Sequence, residues 1–326
     1  MTVKITVLGL GLIGTSIGLA LADETDQVLR VGHDPSMERN NRAKKIGAFE
    51  DTHLQLFKAV DKADVVILAL PHDQIYETLK LIAPELKPET IILDTSPVQV
   101  QDIEWAKELL SPEVYFLSFT PSLNPGLLEK MDDDPENATA ELFKRGMVFI
   151  TAPSNTSEEA YKLASDLSVL LGAAPFFADA WETDGLSAAV HTLPKFTSAA
   201  LVNATMNQPG WQEARKLAGA AYAQSTRPVL NLDEADAYGE MALSNRDNMV
   251  RVLDNLIAEL YNIRQAISQN KADVVKDFLS QAKDNRLSWQ YEREKANWGI
   301  EEKPELPTSR DFVGQLFGIR KRKKND

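Results

Sequence analysis

The stretch Val3-Lys4-Ile5-Thr6-Val7-Leu8-Gly9-Leu10-Gly11-Leu12-Ile13-Gly14 decides the fold of the N-terminal half. An apolar run of strand length leads into glycines at the spacing G-x-G-x-x-G, and a helical pattern follows. The first glycine permits a tight turn, the second lets a pyrophosphate approach the backbone, and the third lets helix and strand pack closely. The pattern predicts a Rossmann dinucleotide-binding unit, the alternative being a glycine-rich turn of another α/β unit. The expected cofactor-binding residues here are Gly9, Gly11, Leu12, Ile13 and Gly14.

An acidic residue follows the second predicted strand at the spacing typical of a ribose ligand. The strand 27–32 ends at His33-Asp34, and Asp34 lies 20 residues after Gly14. A carboxylate at this point accepts hydrogen bonds from the ribose hydroxyls of NAD and repels the 2′-phosphate of NADP. We therefore expect NAD as the cofactor, in preference to NADP.

Strand and helix patterns alternate through about residue 150. Such alternation predicts a parallel, doubly wound sheet whose ligand lies at the carboxyl ends of the strands. Two of these ends supply further expected cofactor-binding residues, namely Leu70 and Pro71 after one buried strand, and Asp94 and Ser96 after the next.

From about Thr183 the pattern changes to long helical stretches, among them 184–206, 211–222 and 248–270. They predict an all-helical second domain. The stretch 250–267 is apolar on more than one face, which is typical of a helix shared between subunits, so we expect a homodimer. The predicted domains are an NAD-binding Rossmann domain at 1–178, a helical substrate and dimerisation domain at 179–298, and an extended tail at 299–326.

The predicted tail contains an amphipathic piece at 312–319 and ends in the basic run Arg320-Lys321-Arg322-Lys323-Lys324. A basic amphipathic segment is able to contact acidic membranes or nucleic acid. The alternatives are that the tail neutralises the acidic surface of its own protein, or that it is a disordered end.

Composition excludes several other classes of protein. The chain of 326 residues has no cysteine, four histidines and a formal net charge of −13. These values exclude disulfides and thiolate sites, and they argue against a metal centre and against nucleic-acid binding. The apolar runs are of strand length, and Met1 leads directly into the first strand. We therefore expect a cytoplasmic protein without a membrane span.

Three motifs in the C-terminal half give the chain a specific resemblance. Ala189–Lys195 is similar to a V-S-H-L-P-H segment, 218–227 to A-G-x-x-F-x-x-x-T-R, and Leu243–Arg246 to L-S-N-R/K. In this order, and behind the glycine loop, they resemble the prephenate dehydrogenase family over roughly residues 3–290. These are two-domain oxidoreductases of the 6-phosphogluconate dehydrogenase-like type. The resemblance implies NAD- or NADP-dependent oxidative decarboxylation of prephenate or arogenate in tyrosine biosynthesis.

In the N-terminal half, the resemblance places substitutions at two family positions. The family histidine of an H-P-M-A-G segment falls on Thr120, in the stretch 118–122. The family turn D-x-x-S-x-K corresponds to Asp94–Gln99, with Ser96 next to the serine position and Gln99 at the lysine. A threonine hydroxyl needs an activating neighbour to act as a base near neutral pH. His72, which follows a strand through Pro71, is either a relocated base or an ordinary loop histidine.

In the C-terminal half, the resemblance supplies the expected substrate-binding residues. The two histidines of S-H-L-P-H fall on Thr192 and Lys195, with His191 one place earlier, and the carboxylate-binding arginine carries over to Arg227. We expect Thr192, Lys195 and Arg227 to bind substrate, and His191, Lys195, His72 and Thr120 to be the catalytic candidates. Arg227 is alternatively a structural salt bridge, and Lys195 and His191 are alternatively surface or packing residues.

Three functional hypotheses remain open at this point. The first is a prephenate or arogenate dehydrogenase with its catalytic groups redistributed. The second is an NAD-dependent dehydrogenase of another small carboxylate, with Lys195 or a histidine as acid and base. Such a lysine would be analogous to that of the β-hydroxyacid dehydrogenases. The third is a non-catalytic NAD-binding protein.

Overall fold

A computed structural model describes residues 2–24, 28–128, 134–154, 156–231 and 235–296. These residues form two compact units. The first contains the described residues up to Ala180 and those from Glu292 onward, and the second is Trp181–Tyr291. The predicted tail 299–326 lies outside the described residues. No helix in the described ranges has both the length and the apolar character that a bilayer crossing requires.

The first unit is built on one eight-stranded sheet. Its strands are β1 Val3–Leu8, β2 Val28–His33, β3 Asp51–His53, β4 Val65–Leu68, β5 Ile91–Asp94, β6 Tyr115–Pro121, β7 Met147–Thr151 and β8 Ala174–Phe177. Their order in the sheet is β3-β2-β1-β4-β5-β6-β7-β8. The direction of chain progress therefore reverses between β1 and β4, and a switch point of this kind is where doubly wound sheets bind their ligands.

Helices cover both faces of this sheet because its central strands are apolar on both faces. The helices are α1 Leu12–Ala20, α2 Met37–Lys45, α3 Leu56–Val60, α4 Ile75–Ile82, α5 Val100–Leu109 and α6 Glu158–Leu170. Val65 and Ile67 of β4 pack in the core layer of α1, α2 and α6, whereas Val66 and Leu68 pack in that of α3, α4 and α5. This alternation confirms the predicted doubly wound unit.

The sheet is predominantly parallel, as predicted, and one pair of strands departs from this pattern, because β6 and β7 run antiparallel. A parallel pair needs a crossover that returns the chain to the same end of the sheet. The described part of the connection between β6 and β7 contains only a short 3-10 turn, Pro135–Asn137, so the chain turns back from the end that it has reached.

The second unit is helical, as predicted, but two of its helices are interrupted. Its helices are α7 Ala180–Ser187, α8 Leu193–Met206, α9 Trp211–Ala214, α10 Ala220–Thr226, α11 Ala235–Ser244, α12 Arg246–Ser268 and α13 Ala272–Lys295. A π-helical turn, Ala188–Thr192, separates α7 from α8, and its last hydrogen bond runs from Leu193 N–H to Ala188 O. Pro194 has no N–H and its ring would collide with the carbonyl of a regular helix, which explains the wider turn. The helix predicted at 211–222 stops at Ala214 and resumes after Gly219, which has an extended backbone.

Candidate cofactor and substrate sites

The three glycines between β1 and α1 have different structural roles. Gly9 has a φ of +93°, and a Cβ there would lie 2.2 Å from Ala69 O. A Cβ on Gly14 would lie 1.9 Å from Gly9 O, so packing alone requires both residues to be glycine. A Cβ on Gly11 would meet nothing within 4 Å, and α1 begins there without a side-chain cap. The space before α1 is therefore a cradle next to helical N–H groups, which suits a pyrophosphate.

Asp34 is buried at the end of β2 and is tied to this loop. Its Oδ2 accepts a hydrogen bond from Leu10 N–H at 3.0 Å, and its Oδ1 accepts one from Ser36 N–H at 2.8 Å. The Arg39 guanidinium lies 3.5 Å from Oδ2. The carboxylate is thus fixed beside the glycine loop, where a ribose hydroxyl would be recognised, and the residues present fit a dinucleotide. Leu70 also borders the loop, since its Cδ2 would be 3.1 Å from a Cβ on Gly9.

The carboxyl ends of β4 and β5 carry a group of buried polar side chains that we call the His72 cluster: His72, Asp94, Ser96 and Asp102. His72 Nδ1 lies 3.2 Å from Asp102 Oδ1 and 3.5 Å from Ser96 Oγ. The imidazole stacks on Trp105, with ring centroids 5.1 Å apart. Because the side chain of His72 is 0% exposed, it lies beneath the ligand-binding edge of the sheet and does not form part of its surface.

Asp94 is a perturbed acid in this cluster. Burial raises the pKa of the Asp94 carboxyl well above its usual range, and the neighbouring Asp102 raises it further. Its Oδ1 accepts a hydrogen bond from Ser96 N–H at 3.2 Å. The charged form of Asp94 is therefore disfavoured beside Asp102, whose Oδ1 lies 3.2 Å from His72 Nδ1.

Thr120, which the sequence resemblance aligns with a family histidine, forms two hydrogen bonds inside the protein. Its hydroxyl donates to Ser96 O at 2.7 Å and accepts from Gln99 Nε2 at 3.1 Å. The resemblance aligns Gln99 with a family lysine, and the structure makes Gln99 and Thr120 partners in one buried hydrogen bond. Both of these side chains stabilise the turn 94–99.

In the second unit, Lys195 pairs with a tyrosine that the sequence analysis did not single out. The Lys195 ammonium, one turn into α8, donates a hydrogen bond to the Tyr238 hydroxyl on α11. The same ammonium lies 3.8 Å from the centre of the Tyr238 ring. Thr192 is buried, with its hydroxyl 3.5 Å from Met241 Sδ, and His191 is exposed on the π-helical turn.

Arg227 follows α10 and begins a 3-10 turn that packs on α8. Ser198 Oγ donates to Ser225 O at 2.9 Å and so ties α8 to the end of α10. The predicted residues Lys195 and Arg227 thus lie on elements that pack together. The Arg227 side chain is exposed.

Sequence reasoning did not find Asp102, Trp105, Tyr238 or Arg39. The first two lie on α5, away from any motif, and an acid in the first turn of a helix usually only complements the helix dipole. Tyr238 is far from Lys195 along the chain, and no spacing pattern joins them. For Arg39 a signal did exist, because it lies shortly after the ribose-binding acid.

Comparison with known proteins assigns both halves of the chain to one family. Residues 17–175 match the family model described as the prephenate dehydrogenase nucleotide-binding domain. Residues 179–281 match the model described as the prephenate dehydrogenase dimerization domain. The cyclohexadienyl dehydrogenase of Zymomonas mobilis is 25% identical over 87% of this chain and 95% of its own. The prephenate dehydrogenase of Bacillus subtilis is 24% identical over 86% of this chain and 75% of its own.

Two solved structures share the fold. Prephenate dehydrogenase from Aquifex aeolicus, in complex with hydroxyphenyl propionate and NAD+, has a TM-score of 0.76 at 17% identity and covers 88% of this chain and 98% of its own. Synechocystis arogenate dehydrogenase has a TM-score of 0.68 at 22% identity, over 88% of this chain and 99% of its own. At these identities the likeness shows the fold alone.

The chain is a two-domain Rossmann oxidoreductase with a helical dimerisation domain. It belongs to the prephenate dehydrogenase family. The predicted family, fold class and NAD-dependent dehydrogenase class are thereby confirmed at the level of the family.

Proposed function

We propose that this protein is an NAD-dependent dehydrogenase that oxidises and decarboxylates prephenate or arogenate. The observation that carries the proposal is the dinucleotide cradle at Gly11 with Asp34 fixed beside it, in a chain whose two halves both match this family. The curated relatives are a cyclohexadienyl and a prephenate dehydrogenase, which supports a cyclohexadienyl carboxylate as substrate.

The reaction needs groups that bind the cofactor, groups that bind the substrate carboxylates, and a group that transfers one proton. NAD+, when bound, supplies the hydride acceptor. The cradle before α1 would hold its pyrophosphate, and Asp34 its ribose hydroxyls. Arg227 would bind a substrate carboxylate, because a planar guanidinium holds a carboxylate with two parallel hydrogen bonds. Loss of carbon dioxide leaves the ring aromatic, and the proton that left the hydroxyl returns to the phenol.

For transfer of the hydroxyl proton we propose the pair of Lys195 and Tyr238. Thr120 is engaged with Ser96 and Gln99, and His72 is buried, so neither is placed to contact a substrate hydroxyl. Lys195 is half-buried and donates to the Tyr238 hydroxyl. A hydroxyl held by an ammonium group is able to relay a proton to and from a bound ligand. Lys195 also corresponds to a family histidine, and His191 and Thr192 would lie beside it.

The quaternary and cellular setting follows from the same proposal. The match to a dimerization domain supports the expected homodimer. A role in tyrosine biosynthesis follows from the family reaction. The cytoplasmic location stays a prediction.

A second candidate is an NAD-dependent dehydrogenase of another small carboxylate. The observation that favours it is the Gln99–Thr120 pair, which occupies the positions of the family lysine and histidine. If this protein lacks the groups that take the proton from a cyclohexadienol hydroxyl, it would still oxidise another substrate whose hydroxyl is more reactive. A non-catalytic NAD-binding protein is the third outcome.

The experiment is a steady-state comparison of variants with prephenate or arogenate and NAD. We expect Arg227→Ala to raise the KM for the carboxylate by about 10–100-fold, since charge-assisted hydrogen bonds contribute roughly 1.5–3 kcal/mol. Arg227→Lys should lie in between. Tyr238→Phe should lower kcat by about 10²–10⁴-fold, the usual contribution of a general acid or base. An unchanged kcat in Tyr238→Phe would exclude the proton relay, and turnover of a different carboxylate alone would favour the second candidate.

A further inference from the structure

The His72 cluster gathers polar side chains from three separate elements. His72 lies in the 3-10 turn after β4, Ser96 in the turn after β5, and Asp102 in the first turn of α5. The side chains of His72 and Asp102 are both 0% exposed, and Ser96 is 3% exposed. These ends of β4 and β5 belong to the second mononucleotide-binding half of the sheet, which in a Rossmann unit takes the nicotinamide side of the cofactor.

A cluster of buried polar side chains is energetically unfavourable in a protein core. Burying ionisable groups is unfavourable unless they are paired, and apolar side chains of similar volume are frequently as stable or more so. Burial and the neighbouring Asp102 raise the pKa of Asp94 and so favour its neutral form, and the His72 imidazole lies 3.2 Å from Asp102 Oδ1. Hydrogen bonds in a buried site are stronger than in water and fix the geometry of the groups that form them, and this gives the cluster a use that apolar packing lacks.

The contacts of Ser96 show which part of the site the cluster holds in place. Ser96 Oγ accepts from Val98 N–H at 3.2 Å and lies 3.5 Å from His72 Nδ1. It also donates to Val98 O at 3.3 Å. Thr120 holds the Ser96 carbonyl at 2.7 Å on the other side. The turn is therefore fixed at its backbone, and the Ser96 hydroxyl is held between Val98 and the His72 ring.

We propose that His72, held by Asp102, is a positioning residue that orients the Ser96 hydroxyl and the turn 94–99 for the nicotinamide half of the cofactor. This inference rests on the proposed cofactor site but is independent of the substrate. His72 acts through Ser96 and does not itself contact the reacting atoms. It extends the cofactor site from the glycine loop and Asp34 to a second, buried layer under β4 and β5.

The test is a double-mutant cycle on NADH affinity. His72→Phe keeps the stacking on Trp105 and removes the ring N–H, and Ser96→Ala removes the hydroxyl. Each should weaken NADH binding, followed by nicotinamide fluorescence, by about tenfold, with unfolding curves to verify folding. The double variant should be no weaker than either single variant, because the two residues act as one unit. His72→Asn, whose amide nitrogen lies near the position of Nδ1, should restore binding to within about threefold of the wild type.

The alternative outcomes are distinct. If the two losses multiply to about a hundredfold, or if folded His72→Phe binds NADH like the wild type, His72 is only a core residue and the inference is wrong. Should His72→Phe not fold, Asp102→Asn enters the same cycle with Ser96→Ala, and independent effects would again overturn the inference. A wild type that binds no NADH would overturn the cofactor assignment together with this inference. Intact NADH binding without turnover of prephenate or arogenate would contradict only the proposed substrate.

Discussion

At the scale of single residues, Gln99 and Thr120 show what could be predicted from the sequence and what could not. The resemblance identifies each as a substitution at a family position. It does not reveal that they contact one another, because they lie 21 positions apart on different elements. The turn at Gly9 and Gly11 could be predicted because it depends on local chain geometry, and the place of Asp34 because the spacing of a Rossmann unit sets it. The His72 cluster could not, since its members meet only after three elements have packed.

Asp34 should determine the choice between NAD and NADP. Asp34→Asn removes the charge that repels a 2′-phosphate and releases the neighbouring Arg39 to bind it. We expect NAD affinity to fall by about 10–100-fold and the ratio of NADP to NAD affinity to rise by at least tenfold. The matched control is Asp34→Asn with Arg39→Gln, which should lose NAD affinity without gaining NADP affinity. Calorimetric titration measures both, and an unchanged NAD preference in Asp34→Asn would contradict the assignment.

Asp94 should make the protein less stable as the pH rises. Its pKa is raised in the folded state, so the folded chain holds a proton that the unfolded chain has already lost. Stability therefore falls as the pH rises from the ordinary aspartate range through the raised pKa. Asp94→Asn keeps an acceptor for Ser96 N–H and a donor toward Asp102, and it should remove this dependence. In urea unfolding from acidic to alkaline pH, the free energy of unfolding of the variant should increase relative to that of the wild type as the pH rises. A difference in stability between the two proteins that does not change with pH would contradict the raised pKa of Asp94.

At the scale of elements, strands and helices formed where the pattern was long and regular. Polar β3 has only three residues, and half-exposed β8 has four and contains a proline, so neither reads as a strand. The π-helical turn arises because Pro194 interrupts a segment whose hydrophobic pattern continues through it. Hydrophobic periodicity records which face is buried, but it does not record a local change in hydrogen bonding.

The turn between β1 and α1 should respond differently at its second and third glycines. Gly14→Ala brings a Cβ within 1.9 Å of a backbone oxygen, so we expect a loss of at least about 1–3 kcal/mol in the free energy of unfolding. Gly11→Ala meets open space and should cost at most about 1 kcal/mol at an N-cap. It should nevertheless abolish NADH binding, because its methyl group enters the pyrophosphate cradle. Normal NADH affinity in folded Gly11→Ala would show that the cradle is elsewhere.

At the scale of the whole molecule, the helical unit exposes many large apolar side chains. On α12 these include Val250, Ile257, Leu260, Tyr261 and Ile267, each more than half exposed. Contiguous apolar surface of this kind marks an interface, and the family model of this region is a dimerization domain. The sequence predicted an interface here from a helix that is apolar on more than one face, and the homodimer itself stays a prediction.

Leu260→Glu should therefore convert the dimer into a monomer, because it places a charge in an apolar interface. Sedimentation velocity at several protein concentrations measures the change. Leu81→Glu is the matched control, since Leu81 is a half-exposed leucine on α4 of the first unit and should leave the dimer intact. A monomeric wild type, or a dimeric Leu260→Glu variant, would contradict this assignment of α12.

The central claim is that this protein uses NAD to oxidise and decarboxylate a cyclohexadienyl carboxylate. The most direct test is to supply the wild-type protein with NAD and with prephenate or arogenate, and to measure NADH, carbon dioxide and the hydroxyphenyl product in one reaction. The account predicts equal amounts of all three from at least one substrate. Protein that binds NADH but forms none of these products from either substrate would contradict it.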